Sequence, residues 1–266
     1  MNKTQIISVI NQKGGVGKTT TVINLATGLA FLQKKVLVVD LDPQGNATTG
    51  LGLSNTNNIK TIYDALCGDC SFEESIKDSK IENLKIVSSN VDLSGLEVET
   101  ASENRRAFLL KDKIESFINS KKNDFSYIFI DCPPSLSLLT VMSLVVAKSL
   151  IVPLQTEFFA LEGMAQLMKT VDRIKIKLNP ELSIRGVLLT MFDKRNKLSS
   201  QVDMEARKFF QNKVYQTVIP RNVRLSEAPS HGVPVLIYDK LCSGSKSYFN
   251  FTQEFLKQEN IMESAA

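Results

Sequence analysis

The stretch that most constrains the fold is a glycine-rich decapeptide near the start of the chain. It reads Asn-Gln-Lys-Gly-Gly-Val-Gly-Lys-Thr-Thr over residues 11–20, and it follows an apolar, β-rich run at residues 6–10. A helical pattern of apolar residues comes directly after it, at Val22, Leu25 and Leu29. A strand, a glycine-rich turn and a helix in this order form the context that a phosphate-binding loop requires. The sequence therefore predicts a nucleotide site built on this turn.

Several parts of the loop have a predicted role. Its glycines let the backbone turn tightly and aim N–H groups inward, and the following helix presents the positive end of its dipole to an anion. Lys18 can reach the β- and γ-phosphates, and the Thr19 hydroxyl can ligate Mg²⁺. Gln12 stands where such loops usually begin with Gly, and Lys13 adds a second lysine before the glycines. These two positions depart from the usual pattern.

Composition bounds the class of protein. The 266 residues suffice for a large α/β domain with a sizeable core, and the 43% apolar and 23% charged content is ordinary for a soluble globular protein. No run of 18 apolar residues exists, and no signal-peptide apolar region precedes the first strand. We therefore expect a cytoplasmic protein with no membrane partner. Cys67 and Cys70 form a C-x-x-C motif without a second pair, and His231 is the single histidine of the sequence. We therefore favour free thiols over a metal site at these cysteines.

Apolar runs alternate with helical patterns along the chain. The predicted strands are residues 6–10, 35–40, 84–88, 127–131, 149–154, 185–191 and 214–218. The predicted helices are residues 19–33, 61–66, 104–119, 138–147, 161–177, 199–211 and 245–258. Such alternation, with Val- and Ile-rich strands, predicts an α/β fold with one doubly wound, mostly parallel sheet and helices on both faces. We expect a single domain over residues 1–258 and a disordered tail at residues 259–266.

Carboxylates follow two of the predicted strands, at the edge where parallel sheets bind ligands. Asp40 and Asp42 lie in Asp-Leu-Asp-Pro-Gln-Gly-Asn at residues 40–46. Nucleoside-triphosphate hydrolysis needs a water in line with the γ-phosphate, and Asp42 is the candidate to orient it. Asp40 is expected to support either the Mg²⁺ shell through water or the loop, although both carboxylates could simply cap the turn. Asp131 ends an apolar strand as in a Walker B motif, which places it near Mg²⁺ through water.

Two residues near the end of the alternating pattern are candidates for a nucleobase pocket. Pro220 and Asn222 follow the last predicted strand and could form such a pocket, because an amide both donates and accepts hydrogen bonds.

The charge of the chain is unevenly distributed. Residues 169–224 hold 13 Lys and Arg but 5 Asp and Glu, while the whole chain has a net charge of +4. This basic block is either a binding surface for a polyanion or an ordinary solvent-exposed surface, and charge alone does not distinguish the two interpretations.

With these motifs in view, the chain resembles the ParA/Soj-type chromosome- or plasmid-partitioning ATPases. They are a branch of the deviant-Walker-A P-loop family that also includes MinD and the nitrogenase iron protein. The motifs that carry the resemblance are residues 11–20, 40–46, Asp-Cys-Pro-Pro-Ser-Leu at 131–136, Gln-Thr-Glu-Phe-Phe-Ala-Leu-Glu-Gly at 155–163, and Ile-Pro-Arg-Asn-Val-Arg-Leu-Ser-Glu-Ala-Pro-Ser at 219–230. The resemblance extends from residue 3 to residue 256.

The resemblance implies a weak ATPase that uses ATP and Mg²⁺ and forms a sandwich homodimer in the ATP state. Lys13 matches the signature lysine, which reaches the nucleotide of the partner subunit, and Gly14 matches the place where the two backbones approach. The implied catalytic residues are Lys13, Lys18 and Asp42. The implied ATP-binding residues are Lys13, Gly14, Gly15, Val16, Gly17, Lys18, Thr19, Thr20, Pro220 and Asn222. The implied Mg²⁺ residues are Thr19, with Asp131 and Asp40 through water.

The resemblance also implies partners. The ATP-bound dimer is expected to bind double-stranded DNA without sequence preference, to associate with the nucleoid, and to be stimulated by a ParB/Spo0J-type centromere-binding protein. The candidate DNA contacts are Arg195, Arg221 and Arg224, with Lys194 and Lys197 behind them. A MinD-like membrane cycle would need a basic amphipathic helix at the C-terminus, which residues 249–259 do not form. An iron–sulfur site would need a second cysteine to accompany Cys132, and the sequence offers no convincing one.

Overall fold

The computed structural model describes residues 4–53, 59–120 and 123–264. Within them, one sheet contains the strands β1 (Gln5–Val9), β2 (Val36–Asp40), β3 (Ile76–Asp78), β4 (Leu84–Val87), β5 (Tyr127–Asp131), β6 (Ser149–Gln155) and β7 (Ser183–Thr190). The spatial order is β3-β4-β2-β5-β1-β6-β7. The strands pair in parallel except for the β3–β4 pair. The predicted mostly parallel sheet is thereby confirmed.

Helices connect these strands across the two faces. They are α1 (Lys18–Phe31), α2 (Asn46–Gly50), α3 (Ile62–Cys67), α4 (Phe72–Ser75), α5 (Leu96–Glu99), α6 (Leu109–Asn119), α7 (Leu138–Val146), α8 (Ala160–Lys177), α9 (Lys197–Phe210), α10 (Val223–Glu227), α11 (Val235–Tyr238) and α12 (Ser243–Ser264). Short 3₁₀ turns occupy Val91–Gly95, Arg106–Phe108, Gln211–Lys213 and Ala228–His231. The helix predicted to begin at residue 104 therefore begins as an α-helix at Leu109, after a 3₁₀ turn. None of the helices in the described residues is both long and apolar enough to cross a bilayer.

The sheet separates two apolar cores. Successive residues of a strand point to opposite faces, so Ile128 of β5 joins one core while Phe129 joins the other. The first core packs β-strand residues against α6, α7 and α8, and the second packs them against α1 and α12. Each fully buried Leu, Ile or Phe side chain stabilises the fold by about 1.5–3 kcal/mol. This two-sided burial explains why the strands are apolar runs without polar alternation.

The register of the central strands brings the predicted site residues to one edge. Val9 at the end of β1 and Asp40 at the end of β2 both lie opposite Asp131 at the end of β5. The glycine-rich loop follows the end of β1 at this edge, and α1 begins within the loop at Lys18. The parallel arrangement therefore places the loop and both strand-end carboxylates side by side.

The prediction of a strand at residues 214–218 is wrong. Only isolated bridges form there, between Val187 and Val214 and between Phe192 and Pro220. The reason lies in α12: the Glu254 carboxylate accepts the N–H groups of Gln216 at 2.6 Å and Thr217 at 2.8 Å. These two donors are no longer available to a neighbouring strand, so a continuous ladder does not form.

Two further features differ from the sequence prediction. Strand β3 is short, half-exposed and antiparallel at the edge of the sheet, and it carries no apolar pattern that would predict it. Helix α12 runs from Ser243 to Ser264 and so extends past residue 258, where the predicted helix ends. Glu259 is buried, accepts a hydrogen bond from the Tyr127 hydroxyl and lies 3.7 Å from the Arg185 guanidinium. These contacts hold the helix against the sheet beyond the predicted end at residue 258.

Candidate nucleotide-binding site

A cavity of about 630 Å³ lies beyond the carboxyl ends of the central strands. Its volume is in the range of small-molecule and cofactor sites. Nine predicted nucleotide-site residues line it: Gly14, Gly15, Gly17, Lys18, Thr19, Thr20, Asp42, Pro220 and Asn222. The sequence placed these residues in three separate motifs, and the fold brings them around one space.

The glycines of the loop have different structural reasons. Gly15 and Gly17 have φ angles of +73° and +91°, in the left-handed region that strains other residues. Gly14 has no such angle, and a Cβ added there would meet only Pro134 among the described residues, at 3.9 Å. That distance is an ordinary van der Waals contact. Nothing described within the subunit therefore requires a glycine at residue 14.

Lys18 is held inside the cavity wall. Its side chain is buried, and its ammonium donates a hydrogen bond to the Lys13 carbonyl at 3.0 Å. Burial lowers the pKa of Lys18, while the nearby carboxylates of Asp131 and Asp42 act to raise it. The N-terminus of α1 begins at this same residue and adds its unpaired N–H groups. The arrangement concentrates positive potential where a phosphate chain would lie.

Lys13 and Val16 belong to the predicted set but do not line the cavity. The Lys13 ammonium forms an ion pair with Glu157 instead, and its side chain is half exposed. Val16 is buried, and its carbonyl accepts a hydrogen bond from the Thr190 hydroxyl at 2.9 Å. The start of the loop is pinned to β6, because the Asn11 amide donates to the Pro153 carbonyl at 2.7 Å. The loop is thus hydrogen-bonded to β6 through Asn11 and to β7 through Val16.

Asp40 and Asp42 occupy different environments although they are two residues apart. Asp40 is fully buried and accepts three hydrogen bonds, from the Asp42 N–H at 3.2 Å and from the Thr48 N–H and hydroxyl at 2.8 and 2.7 Å. Burial raises the pKa of Asp40 to about 6, against the opposing effect of these hydrogen bonds. Of the two roles predicted for Asp40, this geometry favours support of the loop. Asp42 lines the cavity and accepts the Gln44 N–H at 3.0 Å.

Asp131 is a buried carboxyl group at the base of the site. It has no exposed surface, and neither of its oxygens has a hydrogen bond of acceptable geometry among the described residues. Burial and then the charge of Asp40 raise the pKa of Asp131 well above its ordinary value, whereas the neighbouring Thr19 hydroxyl acts to lower it. A buried carboxyl with free oxygens beside a hydroxyl suits a hydrated Mg²⁺, which retains several waters and takes few protein ligands. The residues present therefore fit this ion.

The far side of the cavity is built from other segments. Asn222 lines it, but its oxygen accepts the Arg224 N–H at 2.9 Å and caps α10, while its amide nitrogen donates to the Ser243 hydroxyl at 2.9 Å. Sequence reasoning missed other lining residues: Thr190, Met191, Val235 and Tyr248. Thr190 and Met191 could have been found, since Thr190 ends β7 and Met191 follows it, at the carboxyl end of the strand. Val235 and Tyr248 carry no local signal.

The predicted DNA-contact arginines differ in their partners. Arg195 donates two hydrogen bonds of 3.1 Å to Asp193, and Arg224 pairs with Glu227 at 2.7 Å. Arg221 is exposed, and it forms no ion pair with any residue that the structure describes. It lines both the nucleotide cavity and an adjoining groove of about 550 Å³, whose other cations belong to Lys194 and Arg195.

Cys67 and Cys70 show no sign of special reactivity. Cys67 is exposed and Cys70 is half-buried, and both are free thiols. Burial is the largest cause that raises the pKa of each. In the described part of the chain, no three His, Cys, Asp or Glu side chains come together as a metal-binding group. The structure therefore adds no role for the C-x-x-C motif.

Comparisons with known proteins agree with this geometry. A family model described as an AAA domain matches residues 4–184. The chain is 46% identical over 265 residues to the chromosome partitioning protein ParA of Caulobacter vibrioides, covering 100% of this chain and 98% of the relative. It is 44% identical over 259 residues to the chromosome-partitioning ATPase Soj of Treponema pallidum, covering 97% and 99%. A crystal structure of cobyrinic acid a,c-diamide synthase from Mycobacterium smegmatis with bound ADP and magnesium superposes with a TM-score of 0.83 at 31% identity, covering 97% of this chain and 96% of the other.

Proposed function

The chain belongs to the ParA/Soj family of chromosome-partitioning ATPases, and from this membership we propose that it is an ATP-driven switch in DNA segregation. In the proposed cycle, two ATP-bound subunits form a dimer, and the dimer binds nucleoid DNA. A ParB-type partner then stimulates hydrolysis, which separates the subunits and releases the DNA. The cargo is a chromosome or a plasmid.

The proposed ATP position follows from the cavity. The triphosphate lies over the glycine loop and the N-terminus of α1, where Lys18 supplies a buried cation. The base points toward Pro220 and Asn222 on the opposite wall. Thr19 and Asp131 would hold Mg²⁺, which offsets charge on the phosphate oxygens when bound. Asp42, at the cavity wall, orients the attacking water.

The observation that carries the dimer is the environment of Gly14. A Cβ added at Gly14 would have room inside the subunit, so the subunit itself does not explain the glycine. Gly14 is also exposed at the mouth of the site, next to the exposed Lys13. A glycine that its own subunit does not require is accounted for when another backbone packs against it. Lys13 would then contribute its charge to the nucleotide of the second subunit. Such a cation supplied in trans stabilises the transferred phosphoryl group only when the dimer forms.

The proposed DNA surface is the basic groove next to the ATP cavity. Arg221 lies on both, so one segment of chain borders the nucleotide and the groove. Contacts between cations and DNA phosphates supply affinity without sequence information. We therefore assign non-specific DNA binding to this face, with Arg221 contributing most among the three candidate arginines because Arg195 and Arg224 are already paired with carboxylates in the described structure.

The test of this cycle is ATP turnover measured with DNA and the ParB-type partner present, each omitted in turn. We expect slow turnover by the protein alone and the highest rate with both present. Turnover that is fast and independent of both additions would contradict a partner-controlled switch. Size-exclusion chromatography of Gly14→Val then tests the dimer: the variant should bind ATP as well as the natural protein but remain monomeric.

DNA binding is tested separately, by affinity measured across salt concentrations. Arg221→Ala should weaken binding and reduce the slope of log affinity against log salt by about 1, because one phosphate contact is lost. Arg105→Ala is the matched control, since Arg105 is 71% exposed on its side chain but lies outside the basic block, paired with Asp112. Equal losses in both variants would show that net charge, rather than the groove, governs binding.

A further inference from the structure

Lys13 is restrained at two points in this structure. Its ammonium forms an ion pair with Glu157, and its carbonyl accepts the hydrogen bond from the Lys18 ammonium. The first contact reaches across to the segment after β6, and the second stays within the glycine loop. Lys13, which in the proposed dimer would contact the nucleotide of the second subunit, is therefore bound to groups of its own subunit.

Glu157 is presented from a well-anchored turn between β6 and α8. Its N–H donates to the Gln155 carbonyl at 2.9 Å, and its carbonyl accepts the Ala160 N–H at 3.1 Å. The preceding residue, Thr156, donates its N–H to the Thr190 carbonyl of β7 at 3.2 Å, and its hydroxyl lies 3.1 Å from the Ser199 hydroxyl. The turn is tied to its neighbours, so opening the ion pair requires movement of the two side chains rather than of the backbone.

We propose that Glu157 is an autoinhibitory latch, which holds Lys13 within its own subunit and has to release it before a second copy of the chain can bind. The inference rests on the proposed ATP-dependent dimer. Both side chains are accessible for such a release, since they are 50% and 30% exposed. A pair at this exposure is weak, so it delays dimer formation without preventing it.

ATP binding would loosen the latch through Lys18. Phosphate oxygens compete with the Lys13 carbonyl for the Lys18 ammonium, because a charged acceptor forms the stronger hydrogen bond. Once Lys18 turns to the phosphates, one of the two restraints on Lys13 is lost. The remaining restraint is the ion pair with Glu157, which the charge of a second nucleotide can displace.

The surface around the latch suits a second copy. Phe158 and Phe159 follow Glu157 and are 75% and 67% exposed, with their rings packed edge to face at 5.0 Å. In a two-fold interface the same patch meets itself, so a cation and an anion on one patch are self-complementary. Burial of these rings against the partner would offset the cost of opening the ion pair.

The decisive variant is Glu157→Gln, which keeps the size of the side chain and removes its charge. The fraction of dimer is measured by analytical ultracentrifugation across ATP concentrations, without DNA. We expect the ATP concentration at half-dimerisation to fall about two- to fivefold, the range that removal of an exposed ion pair allows. An unchanged midpoint, or a higher one, would overturn the latch. A higher midpoint would instead make Glu157 a favourable dimer contact.

Two controls separate this inference from the proposed function. Glu181→Gln removes the same charge at an exposed position between α8 and β7, and should leave the midpoint unchanged. Raising the salt concentration screens the ion pair, so the difference between the natural protein and Glu157→Gln should shrink. A difference that is constant across salt concentrations would also overturn the latch. A natural protein that never dimerises with ATP would refute the proposed function itself.

Discussion

The two ends of the nucleotide cavity are built in different ways. The end proposed to hold the phosphates, called the phosphate end, is built mainly on one loop, residues 14–20, with two glycines at positive φ angles and with Asp42 beside it. The opposite end, proposed to hold the base and called the base end, is assembled from several separate segments, at residues 190–191, 219–222 and 228–235. One end is therefore a local backbone structure, and the other is a tertiary one.

This difference teaches how each end tolerates change. At the phosphate end, the donors available to a phosphate are backbone N–H groups and one buried lysine. Substitution of that lysine therefore removes an interaction that no neighbouring side chain in the described structure replaces. At the base end the polar groups are already engaged with the protein, as the Asn222 amide shows with Arg224 and Ser243. We expect the contribution of the base end to ATP binding to be spread over several side chains. We therefore expect large effects at the phosphate end and small ones at the base end.

The largest expected effect is that of Lys18→Ala. Removal of the buried ammonium should lower ATP turnover at least about a hundredfold, because no other cation reaches this part of the cavity in the described structure. Phosphate release measures turnover, and circular dichroism checks that the variant is folded. Turnover within tenfold of the natural protein would break the comparison between the two ends.

The second effect is that of Asp42→Ala, at the phosphate end but away from the loop. Turnover should fall about a hundredfold through loss of the group proposed to orient the attacking water, while ATP binding is retained. The variant should accumulate as an ATP-bound dimer, visible by size-exclusion chromatography. Rapid turnover in this variant would remove Asp42 from the mechanism and leave Lys18 as the main determinant.

The smallest effect is expected at the base end, for Asn222→Ala. Loss of the cap on α10 costs about 1 kcal/mol, so ATP affinity should fall about fivefold at most. Asn222→Asp keeps the capping oxygen but loses the amide group that donates to Ser243, and should show a smaller loss. Isothermal titration calorimetry with ATP measures both. A loss as large as that of Lys18→Ala would show that the base end is as sensitive as the phosphate end.

Much of the site could be predicted because its signals are local. Gly15 and Gly17 are needed for the conformation of their own backbone. Asp42 follows a buried strand and Asp131 ends one, and the apolar runs of both strands are visible in the sequence. Parallel strands bring their carboxyl ends to one edge, so these separate motifs could be placed together in advance. Val235 and Tyr248 could not be placed, because they reach the cavity only through the path of the chain after β7.

By itself, the sequence determined the phosphate loop, the alternation of strands and helices and the strand-end carboxylates, because each depends on backbone conformation or on burial within a few neighbouring residues. The tertiary structure decided the rest. The segment at 214–218 is not a strand because Glu254, some 40 residues away, takes two of its N–H groups. Lys13 points to Glu157 rather than into the cavity because the turn after β6 lies beside the loop. Such contacts depend on charges that meet only after the sheet has formed, and no local pattern records them.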